Sequence, residues 1–306
     1  MSSERNYCGI QWKDYATFKF HSLCICHRNL HGTVTIITGA NSGIGYEATK
    51  ILADRGSKVI MACRSEYKAK MAKDIMLREN INRDIVVEIV DVSSLASVRS
   101  FAQRICSQYD KIDILINNAG VMTDSCLSED GYEIHFATNH LGHFLLTNLL
   151  LDKLKKSPDA RIINVSSAAH LIGRFEESHL RKPAWISMLA YADSKFCNIL
   201  FTKELNKHLK GTTVTTFAVH PGIVATNMVS QFLPKFIFSI GEHLVFKTPI
   251  QGVQTIIHAA LNNEIKQYSG QYFGECNLSH TKANLSYADM LAIQLWYVSE
   301  QYTGFV

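Results

Sequence analysis

The sequence is poor in proline, with five in 306 residues, and it contains no repeat, no long charge run and no stretch of biased composition. Those absences exclude collagen-like chains, low-complexity polymers and disordered, strongly solvated chains. No apolar run reaches the roughly 18 consecutive residues of a membrane span. The chain starts Met1-Ser2-Ser3-Glu4-Arg5 without an apolar segment, so neither a transmembrane anchor nor a secretory signal is expected. Excess charge of one sign is also small: 31 Lys and Arg stand against 27 Asp and Glu, and the basic residues are scattered, which disfavours nucleic acid as a partner. The eight cysteines show neither C-x-x-C pairs nor the regular spacing of a disulfide framework, so a reducing compartment is expected and no metal site. Cys24 and Cys26 form the one close pair, and in a weakly patterned segment they read as buried or idle thiols.

What the chain does have is 47% hydrophobic residues, enough for a packed core. β-Branched runs at Thr33–Thr38, Lys58–Ala62, Asp84–Val90, Ile112–Ile116, Arg161–Val165 and Thr213–Val219 alternate with helical patterns. The helical patterns cover Ile44–Arg55, Glu66–Glu79, Leu95–Tyr109, Gly131–Lys155 and Leu189–Leu209. In the third, Leu95, Val98, Ala102 and Ile105 recur at helical spacing behind Ser94, a plausible N-cap. Such alternation predicts an α/β fold: one Rossmann-type, doubly wound parallel sheet flanked by helices. No linker marks a second domain. Residues 1–30 read as an N-terminal arm, either surface-packed or disordered, and 31–306 as a single domain. Within it, 225–248 form an apolar substrate-side lobe carrying Phe232, Phe236, Phe238 and Phe246.

Directly after the first strand comes Thr38-Gly39-Ala40-Asn41-Ser42-Gly43-Ile44-Gly45. Glycines at this junction allow a sharp turn and close backbone approach to a pyrophosphate, whose charge the helix N-terminus stabilises. At the end of the second strand, where NAD-selective sites place an acid against the ribose, stands Arg64. Its guanidinium suits a 2′-phosphate, so NADP(H) is the expected cofactor and NAD(H) remains admissible. The alternative is a solvated surface arginine.

These residues resemble the short-chain dehydrogenase/reductase family. Thr38 to Gly45 is similar to its TGxxxGxG turn, Asp91-Val92 to its acid after the third strand, and Asn117-Asn118-Ala119-Gly120 to its NNAG motif. Asn139, Ser167, Tyr191 and Lys195 resemble its Asn-Ser-Tyr-Lys tetrad. His220-Pro221-Gly222-Ile223-Val224-Ala225-Thr226 resembles its PGxVxT segment. The likeness covers Thr33 to about Ala260. It implies a cofactor site built from Thr38, Gly39, Asn41, Ser42, Gly43, Ile44, Gly45, Arg64, Asp91, Val92, Asn118, Ala119, Gly120, Tyr191, Lys195, Pro221, Gly222, Val224 and Thr226. Thr226 would contact the nicotinamide carboxamide in that reading, and cap a helix in the structural one. Asn139 would hold a water linking Lys195 to solvent.

Tyr191 and Lys195, four apart on a helix, share a face. A free phenol of pKa about 10 is a weak base at neutral pH, and Lys195 together with a cationic nicotinamide is expected to bring it down. Tyr191 then exchanges the hydroxyl proton, and Ser167 holds the reacting oxygen. His135, His140, His143 and His170 lack metal spacing and read as structural or pocket-lining.

The Ser167-to-Tyr191 connection, VSSAAH before it, VHPG after the sixth strand, LGHFLLTNLLLDKLKKS and FKTPIQGVQT resemble the retinol dehydrogenase-like branch and its X-linked dehydrogenase/reductase relatives. The likeness implies long apolar alcohols or aldehydes, retinoids or polyprenoids, as substrates. The apolar lobe fits a lid, ordinary core packing or a membrane-surface contact. Many members of the branch begin with a membrane anchor that Met1 to Leu30 does not supply. A cytoplasmic enzyme is therefore expected, with room for peripheral contact with endoplasmic reticulum or lipid droplets, and a homodimer or homotetramer by analogy. A cofactor-binding interaction protein without turnover is the alternative, because fold does not fix function.

Overall fold

The computed structural model describes residues 24, 26, 28–79, 84–224, 247–284 and 286–305. Thr226, most of the expected lobe and residues 1–23 of the expected arm lie outside the described residues.

The six β-branched runs form six parallel strands: β1 (Val34–Thr38), β2 (Lys58–Cys63), β3 (Ile85–Ile89), β4 (Ile114–Asn117), β5 (Ala160–Val165) and β6 (Val214–His220). Their spatial order is β3-β2-β1-β4-β5-β6. The chain thus reverses direction across the sheet between β1 and β4, which opens a crevice at the strands' carboxyl ends. β4 and β5 are buried along their whole length, as strands covered on both faces must be. Two further strands, β7 (Tyr272–Gly274, parallel to β6) and β8 (Asn277–Leu278, antiparallel to β7), extend the sheet. Segments that short display no readable period, and the sequence reading omits them.

Helices α1 (Gly43–Asp54), α2 (Glu66–Arg78) and α6 (Gln254–Leu261) cover one face, closing a core around Ile37, Ile116, Phe217 and Ile256. Helices α3 (Leu95–Gln108), α4 (Gly142–Lys155), α5 (Ser187–His208) and α7 (Ala288–Thr303) cover the other, around Ile36, Leu115, Phe144, Phe201 and Trp296. Ser94 caps α3, its hydroxyl accepting from the Ser97 N–H at 3.4 Å, and Val98, Ala102 and Ile105 are buried together as the spacing requires. A polar seam crosses the buried sheet where register pairs Asn117 with Asn164. The Asn117 amide donates to Asn164 Oδ1 at 2.8 Å, and Asn164 donates to Thr202 at 2.9 Å.

The expected helix over Gly131–Lys155 is not continuous. Gly131 sits in a turn at φ 78°, and helical structure begins at Ile134–Phe136, where the Glu133 carboxylate accepts from the N–H groups of His135 and Phe136. A π-helical turn at Ala137–Leu141 then carries Asn139, and α4 starts at Gly142. A Cβ on Gly142 would lie 1.9 Å from the Val92 carbonyl oxygen, so this close crossing requires glycine.

Candidate active site

The cleft is built from strand ends. β1 ends at Thr38, whose buried hydroxyl accepts from the N–H groups of Asn118 and Ala119, each at 2.9 Å, while the Asn118 amide donates to the Thr38 carbonyl at 2.8 Å. This stitches the turn after β1 to the turn after β4. Removing that hydroxyl would leave two N–H donors unmatched, at about 1–3 kcal/mol each. Gly39 takes the left-handed conformation at φ 66°, and a Cβ on Gly45 would stand 2.4 Å from the Gly39 carbonyl oxygen. The turn therefore closes only with glycine. Ser42 gives α1 no side-chain cap, and no acid occupies its first turn. The first N–H groups of an α-helix have no intrahelical acceptor, so this end of α1 suits a pyrophosphate. The residues present fit a dinucleotide.

The opposite wall comes from β5 and α5. Tyr191 and Lys195 lie on one face of α5, with Lys195 Nζ 5.6 Å from the Tyr191 ring centroid. Lys195 is buried and donates to the Val165 carbonyl at 3.0 Å; burial pushes its ammonium down to about 8. Ser167 lies two residues beyond β5, where it caps a 3₁₀ turn (Ala168–Leu171) and hydrogen-bonds Tyr191. In the protein alone, burial raises the Tyr191 phenol above its ordinary value, and the hydrogen bond to Ser167 acts in the opposite direction.

Asn139 lies in the π-helical turn at Ala137–Leu141. It is wholly buried behind the cleft wall, where its amide oxygen accepts from the Val121 N–H at 2.7 Å and its amide donates to the Val121 carbonyl and to Ser194 Oγ. All of its side-chain bonding is thereby turned toward the protein. His143 connects this turn to the cofactor turn, with Nε2 2.9 Å from Thr38 Oγ1 and Nδ1 3.2 Å from the Asn139 carbonyl. Burial holds His143 at about 4 and His140 at about 3, so both are neutral. His135 bonds Glu133 at 2.7 Å, and His170 bonds the Ser167 carbonyl at 2.7 Å. None of these four histidines lines the cleft.

The resulting cavity, about 580 Å³, is lined by Gly39, Asn41, Ser42, Gly43, Ile44, Gly45, Arg64, Asp91, Val92, Asn118, Ala119 and Gly120. Ser167, Tyr191, Lys195, Pro221, Gly222 and Val224 complete the expected set. Thr38 supports the cleft without lining it, and Thr226 lies outside the described residues. The sequence reading omits Ser65, Lys68, Val121, Thr138, His220 and Pro249, which also line it. Ser65 and Lys68 were accessible in principle: Ser65 caps α2, accepting from the Lys68 N–H at 3.4 Å, and a serine just past a strand followed by an acid, Glu66, in the first turn is a readable helix start. His220 accepts from the Ala168 N–H at 3.2 Å, anchoring the turn that carries Ser167. Burial, then the neighbouring Lys247 cation, lowers it to about 4.

The family model for short chain dehydrogenase matches residues 33–235. The chain belongs to the short-chain dehydrogenase family. Among curated relatives, this short-chain dehydrogenase is 41% identical over 294 residues to retinol dehydrogenase 12 of Mus musculus, covering 94% of this chain and 92% of that one. It is 42% identical over 282 residues to retinol dehydrogenase 11 of Homo sapiens, covering 90% and 87%. A solved structure of an uncharacterized protein from Mycobacterium paratuberculosis superposes with a TM-score of 0.71 at 33% identity, covering 90% of this chain and 94% of that one. A Shigella flexneri short chain dehydrogenase complexed with NADP shares the fold at 23% identity and a TM-score of 0.66, covering 81% and 99%. The short-chain dehydrogenase is accordingly an NAD(P)-dependent oxidoreductase of the retinol dehydrogenase-like branch.

Proposed function

We propose that this enzyme uses NADP(H) to interconvert an alcohol and a carbonyl group on a hydrophobic, lipid-like substrate such as a retinoid or polyprenoid. The observation that carries the reading is the convergence of Ser167, Tyr191 and Lys195 on one wall of a cleft whose other end is the glycine turn with Arg64. When bound, the nicotinamide supplies or accepts hydride at C4. Ser167 Oγ holds the reacting substrate oxygen beside the Tyr191 phenol, which gives that oxygen a proton in reduction and removes one in oxidation. Burial keeps Tyr191 protonated at neutral pH, which favours its service as an acid toward a carbonyl. Lys195 places a positive charge 5.6 Å from the ring, where it stabilises phenolate as the proton leaves. Asn139 is a positioning residue: it fixes Val121 in the cleft lining and, through Ser194, the turn of α5 between Tyr191 and Lys195.

NADP(H) preference rests on Arg64 and Lys68, two cations beside the N-terminus of α2; Asp91 Oδ1 is engaged by Ser93 at 2.9 and 2.6 Å, and its Oδ2 stands 4.0 Å from Arg64. A hydrophobic substrate is supported by the connection leading to Tyr191. Its inner residues Phe175 and Leu180 are buried, while Leu171, Ile172, Ile186 and a wholly exposed Trp185 form an apolar edge. Both curated relatives named above are retinol dehydrogenases. No helix among the described residues is long and apolar enough to cross a membrane. The proposal therefore includes peripheral contact, through this apolar edge, with the cytoplasmic surface of endoplasmic reticulum or lipid droplets.

The test is NADPH consumption with all-trans-retinal and with short aldehydes and ketones. Faster turnover of retinal, dependent on Tyr191, is the expected result. Turnover confined to short carbonyls would overturn the substrate class, and NADPH binding without turnover of any carbonyl would favour the non-catalytic alternative.

A further inference from the structure

A second cluster of reactive side chains lies outside the cleft. At the start of the described chain the Cys24 backbone N–H donates to Gln254 Oε1 at 3.2 Å, and the Gln254 amide donates to the Ile250 carbonyl at 2.9 Å. Four residues along α6, on the same face, His258 hydrogen-bonds the Cys26 thiol. The Cys24 and Cys26 sulfurs are 2.9 Å apart, and both lie with a His258 ring nitrogen inside a 4.8 Å circle. Arg55 Nη1 donates to the Cys26 carbonyl at 2.5 Å. The Cys-x-Cys backbone is thus fixed at one end by α6 and at the other by the residue that follows α1. None of the three lines the cleft, and the oxidoreductase reaction gives them no task.

Donor chemistry decides what such a cluster can hold. Two thiols and an imidazole with no carboxylate select a thiophilic ion over Mg²⁺ or Ca²⁺, which take oxygen. Zinc binds this set at about 2.3 Å to sulfur and about 2.0–2.1 Å to nitrogen, which puts neighbouring donors roughly 3–4 Å apart. The three donors already lie within 4.8 Å of one another, on a backbone held by Gln254 and Arg55. Cys24 is buried and Cys26 half-buried, so the ion would be shielded from water. A further thiol, Cys276, packs on the same core cluster from the β7–β8 hairpin, at φ 58°, a backbone conformation that non-glycine residues seldom adopt.

We propose that Cys24, Cys26 and His258 form a Cys₂His zinc site that clamps the N-terminal end of the described chain onto α6. Binding forms two Zn–S bonds and one Zn–N bond, and the two thiol protons leave to solvent. The site departs from the sequence reading of idle thiols because its third donor comes from the far end of the chain and only folding brings it in.

The test uses the full chain, purified under reductant, stripped with chelator and titrated with ZnCl₂. Bound zinc is counted by elemental mass spectrometry after gel filtration. The expected result is one zinc per chain, held tighter than micromolar, with a higher Tm than the stripped protein. Cys26→Ser and His258→Gln should each weaken binding at least about 100-fold, since even outer partners of metal ligands cost 10–100-fold. Co²⁺ added to the stripped wild type should give intense thiolate-to-metal absorption, a readout that needs no variant to fold. Folded wild type without stoichiometric zinc, zinc undiminished in both variants, Co²⁺ without thiolate absorption, or an intact Cys24–Cys26 disulfide under reductant would each overturn the site.

Discussion

The two ends of the cleft are made differently. At the reacting end, Tyr191, Lys195 and Ser167 are set on a long, packed helix and a strand end, and Lys195 and the supporting Asn139 are buried. At the far end Arg64 has a side chain 74% exposed, and its closest acid, Asp91, is 4.0 Å away. The first end is fixed by the core and perturbs the groups it holds, whereas the second is a charged rim in water. Chemistry should therefore depend on geometry that few substitutions can preserve, and cofactor choice on charge that a single substitution can reverse.

Substitutions at each end put that contrast to the test. Lys195→Met removes the buried cation beside Tyr191 and is expected to lower kcat by about 10²–10⁴-fold, the range of a lost contribution to proton transfer. Steady-state kinetics would check it, and a loss under tenfold would place the proton path elsewhere. Arg64→Asp removes one charge-assisted contact and adds repulsion. The expected change is about 10–100-fold in the kcat/KM ratio of NADPH to NADH, with kcat nearly constant. A fall in kcat with the ratio unchanged would remove the distinction between the ends. Asn139→Ala leaves the Val121 N–H and carbonyl without their partner, at about 1–3 kcal/mol of stability. Denaturant unfolding would measure it, and kcat should fall more than KM rises, as befits a positioning residue. The charge at the reacting end can also be removed by pH. Lys195 has its pKa lowered by burial to about 8, so its charge is present below that value and is lost as pH rises through it. Carbonyl reduction by the unsaturated enzyme, read as kcat/KM, should decline above about pH 8, and a flat profile to pH 10 would contradict this assignment.

The same contrast accounts for what the sequence made legible. Tyr191 and Lys195 were readable because four-residue spacing on a helix is a local rule, and the glycine turn because its strand–turn–helix context is local too. The fold class followed from β-branched runs alternating with helical periods. What escaped was set by contact between distant segments. The π-helical turn that carries Asn139 leaves no period of its own, and it leads directly into Gly142, which lies against Val92. His220 enters the lining because β6 ends beside β5. The upward push on the Tyr191 phenol was not readable either, because it comes from burial and spacing carries no information about burial. His258 joins Cys24 and Cys26 for the same reason.

The most direct measurement pairs NADPH binding with single-turnover reduction of all-trans-retinal by the wild type and by Tyr191→Phe. The phenyl ring fills the same space on α5 and lacks only the hydroxyl group that carries the proton. NADPH affinity within a few-fold of the wild type, with the rate lower by several orders of magnitude, is the predicted result. Equal turnover in the two proteins would contradict the assignment of Tyr191 as the acid.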